Sequence, residues 1–235
     1  MDDIGIVILI VLVVAVIGAA MYMAHRAAKK RREALAALAG ELGWQFDSSR
    51  DTRHDNEYAH FEVFRRGHSR AAYNTLQGST EIDDRSFRAK MGDFTYKVTH
   101  HTGKGTQTRT YRFSYLILHL PFAGVPDLLI RREGVFDKLA GVLGFDDIDF
   151  ESAEFSRKFY VKGSDKRFAY DVVHPRMMEF LLASQPPLID IEQGRCCITD
   201  GRTKWQPQEF RSMLEWAREF FDRWPDHLTS QLQGE

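Results

Sequence analysis

Cysteine is almost absent from this chain: two residues in 235, Cys196 and Cys197, and they are adjacent. Neighbouring side chains on a strand point to opposite faces, so a bridge between them would be strained and no disulfide framework is available. A reduced pair fits a reducing compartment. Net charge is equally scarce. Thirty-two Lys and Arg against 33 Asp and Glu leave −1, so no overall field draws in nucleic acid.

Complete chemical motifs are missing as well. Gly67-His68-Ser69-Arg70-Ala71 has the outline of a nucleophile elbow, but Ala71 replaces the second glycine and a strand, not a helix, reads as following it. Gly103-Lys104-Gly105-Thr106 lacks the spacing of a phosphate loop and suits a hairpin turn. His54, Glu57 and His60 do not form the H-E-x-x-H helix pattern. His100 and His101 are neighbours that cannot both enter one cluster from a strand. Asp146, Asp147, Asp149 and Glu151 lack the glycine and terminal glutamate of a calcium loop. The two cysteines have no base fixed beside them in sequence. No catalytic residue, metal site or cofactor is assigned on these grounds.

Charge is missing altogether from residues 4–23, bounded by Ile4 and Met23. Twenty apolar residues at the helical rise span roughly 30 Å, the hydrocarbon thickness of a bilayer. Behind the run stand His25, Arg26, Lys29, Lys30, Arg31 and Arg32; ahead of it are Met1, Asp2 and Asp3. The acidic front and the length of the run argue against a cleaved signal peptide. The basic side sets direction: N-terminus outside, remainder cytoplasmic, one pass through the cell inner membrane. Arg26, Lys29, Lys30, Arg31 and Arg32 are the topogenic residues, and such a collar also suits contact with anionic lipid.

The rest divides by pattern. Residues 1–24 form the anchor, 25–43 the basic collar with a juxtamembrane helix, and 44–235 a cytoplasmic domain with a possible subdivision near 121–126. Leu35, Leu38 and Leu42 make one helical face, ended by Gly43. Residues 50–58 read as loop, 61–64 and 71–76 as short strands, and 78–84 as turn. Phe94, Tyr96 and Val98, then Tyr111, Phe113 and Tyr115, alternate as a hairpin. A turn at Lys104-Gly105 would set Val98 against Tyr111 and Phe94 against Tyr115.

Three strand–turn–helix units follow, beginning at residues 128–130, 159–161 and 189–191. The first carries a helix with Phe136, Leu139 and Leu143. The second has Ser164 as cap and a break at Pro175. The last helix, from Pro207, has an apolar stripe running through Phe210, Leu214, Ala217 and Phe221. Trp216 lies off that stripe, a candidate exposed contact. The expected fold is α+β: an N-terminal transmembrane helix, then a mainly antiparallel sheet with helices packed on one face.

Several phrases occur together: Phe64-x-x-Gly67-His68-x-Arg70, Asn74-x-x-x-Gly78, Gly92-Asp93-Phe94-x-Tyr96, Asp147-Ile148-Asp149-Phe150, Phe155-Ser156-Arg157 and Val161-x-Gly163-x-Asp165. This set resembles an uncharacterised bacterial family of single-pass, N-terminally membrane-anchored proteins with a cytoplasmic α+β domain. The resemblance covers about residues 43–182. It implies architecture and carries no established catalytic residue. The expected function is a non-enzymatic binding or scaffolding module for an unidentified protein partner. The alternative is a membrane-anchored hydrolase centred on Ser69 or on a histidine such as His100, with His119 and Arg109 as the groups to watch.

Overall fold

The computed structural model describes residues 3–103, 105–133 and 148–233. It begins with one unbroken helix, α1 (Asp3–Leu42), 40 residues or about 60 Å at 1.5 Å per residue. Among the described residues it is the one helix long and apolar enough to cross a membrane. From residue 9 to residue 30 its side chains are exposed; from five residues further on, Leu35, Leu38 and Ala39 are in the core. The helix stops in a Schellman turn. Gly43 takes a φ of +69°, its N–H donates to Gly40, and that of Trp44 donates to Ala39. Glycine adopts that left-handed conformation without a Cβ penalty.

Among the described residues eight strands follow: β1 (Gln45–Asp47), β2 (His68–Ile82), β3 (Arg85–Thr102), β4 (Gly105–His119), β5 (Leu128–Arg132), β6 (Phe159–Gly163), β7 (Leu188–Glu192) and β8 (Arg195–Thr199). They form one antiparallel sheet in the order β1-β2-β3-β4-β8-β7-β5-β6. The helices are two single turns, α2 (His54–Glu57) and α3 (Glu62–Arg65), then α4 (Ala153–Lys158), α5 (Lys166–Val172), α6 (Pro175–Ser184), α7 (Pro207–Asp222) and α8 (Asp226–Gln233). The α+β expectation stands in the structure.

Both faces of the sheet are covered. On one, α1 and α4 to α8 enclose the larger core with Phe87, Met91, Leu116, Leu118 and Cys196. On the other, Tyr58, Phe61 and Phe64 from the α2–α3 segment lie over Phe94, Phe113, Tyr115, Ile117 and Cys197. The two cysteines are buried, free and on opposite faces, as strand parity requires.

Five local expectations need correction. Residues 54–57, inside a stretch expected to be loop, form the single turn α2. Residues 61–64 form the cap and turn of α3, not a strand; a short apolar run does not distinguish the two by periodicity. β2 runs through residues 78–82 instead of turning there, and its loop is Asp83-Asp84. The β3–β4 hairpin pairs Thr102 with Gly105, so Val98 faces Arg109, Tyr96 faces Tyr111 and Phe94 faces Phe113. That two-residue shift keeps every side chain on its expected face; Tyr96 and Tyr111 stack at 5.1 Å. Asp165, not Ser164, caps α5, accepting from the amides of Arg167 and Phe168, while Ser164 Oγ accepts from Asp127 N–H. The break at Pro175 and the start of α7 at Pro207 fall where expected. The helix expected through Phe136 to Leu143 lies outside the described residues, as do Asp146 and Asp147.

Gly78 stands inside β2 for a packing reason. A Cβ there would lie 2.3 Å from the Trp44 ring, whose Nε1 donates to the Ser79 carbonyl at 2.9 Å. Gly78→Ala is expected to cost about 1–3 kcal/mol by overpacking, read as a lower urea midpoint. With Trp44→Leu already present the same change costs less, and equal costs in both backgrounds would refute the contact.

Candidate functional site

The point where α1 meets the sheet is fixed by one buried ion pair. Arg31 Nε and Nη2 donate to the two carboxylate oxygens of Asp93 at 2.8 and 2.6 Å. Nη1 donates to the Trp205 carbonyl at 2.7 Å. The Asp93 side chain is fully buried and that of Arg31 is 13% exposed. Two further donors reach Asp93: Asn74 Nδ2 at 3.0 Å and Ser114 Oγ at 2.7 Å. Ser114 Oγ in turn accepts from Trp205 N–H at 3.0 Å. Four donors match the four lone-pair positions of a carboxylate, which is what a buried charge requires. The Phe210 ring of α7 lies 5.7 Å from the guanidinium. Asn74 reaches Asp93 from an interruption in the β2–β3 register, with φ of +52°; asparagine tolerates that region better than most residues.

Above this clamp α1 and the sheet part, and a cavity of about 1320 Å³ opens between them. One wall is α1, with Ala24, Ala27, Ala28 and Ala34 beside Lys30, Arg31 and Arg32. The other continues the sheet face that carries Asp93 and Ser114. Parity puts Thr95 and Lys97 of β3 on that face with Thr110 and Arg112 of β4, where Thr95 pairs with Arg112 and Lys97 with Thr110. Tyr73 and the basic Arg50 and Lys204 complete the lining, and among the described residues no Asp or Glu lines the cavity. Burial raises the Tyr73 hydroxyl to about 12. Burial also lowers the Lys204 ammonium from its ordinary value, with Arg31 and Arg112 adding repulsion against the attraction of Asp93.

Of the five basic residues expected to set topology, Lys30, Arg31 and Arg32 line this cleft, whereas Arg26 and Lys29 do not; Arg26 lies 6.0 Å from the Tyr22 ring and Lys29 pairs with Glu33. The part played by Arg31 in the clamp has no local signature, because its partners are 62 and 174 residues away.

The hydrolase candidates do not converge. His68 Nδ1 lies 3.0 Å from Ser69 Oγ, and its Nε2 lies 2.8 Å from Thr99 Oγ1. A hydroxyl stands where a carboxylate would orient the imidazole, and Ser69 sits at the start of a strand without the strand-to-helix turn of an elbow. His100 pairs across from Gln107 and Arg109 from Val98, near the hairpin tip. His119 is at the far end of β4, opposite Arg88. There it meets the Tyr58 hydroxyl at 3.3 Å in a second hollow with Lys90 and Glu57, which pair at 3.1 Å. Among the described residues no three His, Cys, Asp or Glu side chains gather within reach of one metal ion. Trp216 is half-buried, its ring stacked at 5.4 Å on Phe180 and 5.5 Å on Phe220, so it is not the exposed contact its place on the helix wheel indicates.

No protein-family model and no curated protein matches the sequence. The fold is similar to that in the crystal structure of the mycobacterial trehalose monomycolate transport factor A, TtfA. The likeness has a TM-score of 0.50, covers 84% of this chain and 93% of that one, and comes with 12% identity. It is a likeness of fold.

Proposed function

We propose that this chain is a membrane-tethered, non-enzymatic module that serves a membrane-embedded partner as an accessory in moving an envelope amphiphile. It spans the inner membrane once through residues 4–23, N-terminus outside, and holds its α+β domain at the cytoplasmic leaflet. The observation that carries this reading is the continuity of α1. The helix that is apolar enough to cross a bilayer is the same helix that Arg31 locks to Asp93 in the sheet. A flexible leader would not be built into the core. Architecture shared with a transport factor supports the accessory role. The cytoplasmic side follows from the excess of Lys and Arg after the span.

Alkaline carbonate washing of membranes and cross-linking in native membranes test this. The full chain is expected to stay in the washed pellet and to cross-link to an integral-membrane protein. Release by carbonate, or a monomer with no cross-linked partner across several detergents, would overturn it. The His68–Ser69 pair is the one observation favouring a hydrolase; a turnover by the full chain that Ser69→Ala abolishes would replace the accessory reading.

A further inference from the structure

The cleft between α1 and the sheet has a charge pattern that the tether does not use. Seven basic side chains line it. Arg31 is neutralised by Asp93. Among the described residues, Lys30, Arg32, Arg50, Lys97, Arg112 and Lys204 make no ion pair. Like charges gathered in a concave, partly desolvated space repel one another, a cost relieved when an anion enters. The electrostatic coupling of Tyr73 to Arg31, Arg50 and Arg112 together, and of Lys204 to Arg31 and Arg112, places these cations around one space.

We infer that this cleft binds the phosphate-bearing headgroup of an anionic membrane lipid, with its glycerol and upper acyl chain against the alanine side of α1. Position and shape select a lipid. Ala24 follows directly on the apolar run, so the mouth of the cleft opens at the membrane boundary. Ala24, Ala27 and Ala28 recur at i, i+3 and i+4 and present methyl groups along one stripe of the helix, where bulkier side chains would fill the space. At 1320 Å³ the cleft exceeds the usual range for small-molecule sites, about 300–1,000 Å³, leaving room for a headgroup with part of its tail. An alanine stripe at the membrane end of the cleft, with basic side chains on both of its walls, is complementary to an amphiphile, and inorganic phosphate would use only the basic part. This inference rests on the membrane-tether reading.

The test uses the full chain, purified in a neutral detergent and presented with equimolar phosphatidylcholine and phosphatidylglycerol, bound lipid being counted by native mass spectrometry. Phosphatidylglycerol is expected to be retained preferentially. Lys97→Glu with Arg112→Glu, two exposed positions, should weaken that retention at least tenfold without changing the thermal midpoint. Arg26→Glu with Lys29→Glu, outside the cleft, should leave it within twofold. Equal retention of both lipids, or equal loss in both charge-reversed variants, would overturn the site. Displacement of the lipid by millimolar inorganic phosphate would also overturn it, by making the cleft a site for the free anion. A chain that carbonate strips from membranes fails the tether reading, whereas one that stays embedded without lipid preference fails only this inference.

Discussion

Asp93→Ala is expected to lower the stability of the folded domain by about 3–5 kcal/mol, because it leaves the Arg31 guanidinium buried without its counter-ion. The partners make the size of the effect. Asp93 accepts from Arg31, Asn74 and Ser114 within 3.0 Å, and truncation orphans donors from α1, β2 and β4 together. At roughly 2–4 °C per kcal/mol for a domain of this size, the thermal midpoint falls by roughly 10 °C. Arg31→Met should cost less than Asp93→Ala if Asn74 and Ser114 continue to solvate the carboxylate. The double variant Arg31→Met with Asp93→Leu should recover part of the loss, since an apolar pair of similar volume often replaces a buried ion pair at little cost. Midpoints of the full chain in detergent measure all three. Additive losses would show that the two residues do not act as a pair.

The second large effect is a loss of stability in acid through His54. Its ring is fully buried among Tyr58, Phe64 and Tyr115, with centroids 4.6–4.7 Å away. Burial first, and the Lys90 charge second, hold its pKa well below 6.5. The folded state therefore keeps His54 neutral while the unfolded chain takes up a proton below 6.5. The unfolded state binds more protons there, so stability falls as pH falls, by about 1.4 kcal/mol per unit for this one group. His60, held near 4 mainly by burial, and His119, lowered by burial and then by Arg195, act in the same direction.

Asp190 and Glu192 act in the opposite sense. Burial raises both, Glu192 to about 7, with Asp127 a further cause for Glu192. The contribution of Glu192 is full below the unfolded carboxylate value and is lost as pH rises through about 7, and that of Asp190 has the same sign. Urea midpoints between pH 7.5 and 5 should show the acid slope, and His54→Phe should make it shallower by about one proton. An unchanged slope would remove His54 as the cause.

What the residues disclosed and what they withheld follows from range. The long apolar helix is a continuous run, and the stripe of α7 and the opposed faces of Cys196 and Cys197 are periodic, so a local window contains each of them. Asn74, Gly78, Gly92 and Asp93 were visible as parts of a recurring phrase, with no indication of their work. Their reasons are tertiary: the left-handed kink that lets Asn74 reach Asp93, the Trp44 ring on Gly78, the backbone of Asn74 and Thr75 about 3.2 Å from where a Cβ on Gly92 would lie. Arg31 was indistinguishable from Arg32 within a run of basic residues. One enters a network with residues 62 and 83 positions away and the other lines a cleft. The cleft itself draws on α1, the segment after β1, three strands and the stretch leading into α7, and no single segment carries a motif for it.

Because α1 runs without a break from Asp3 to Leu42, the tether proposed above gives the domain and the membrane one shared angular coordinate. Each residue of an α-helix advances about 100° and 1.5 Å. The side of the helix that carries Arg31 is therefore set in phase with the lipid-facing sides of the residues before it. The domain is mounted like a blade on a shaft: turning the span by one residue's worth swings the mouth of the cleft through more than a quarter of a circle, while moving it barely an atom's width along the membrane normal.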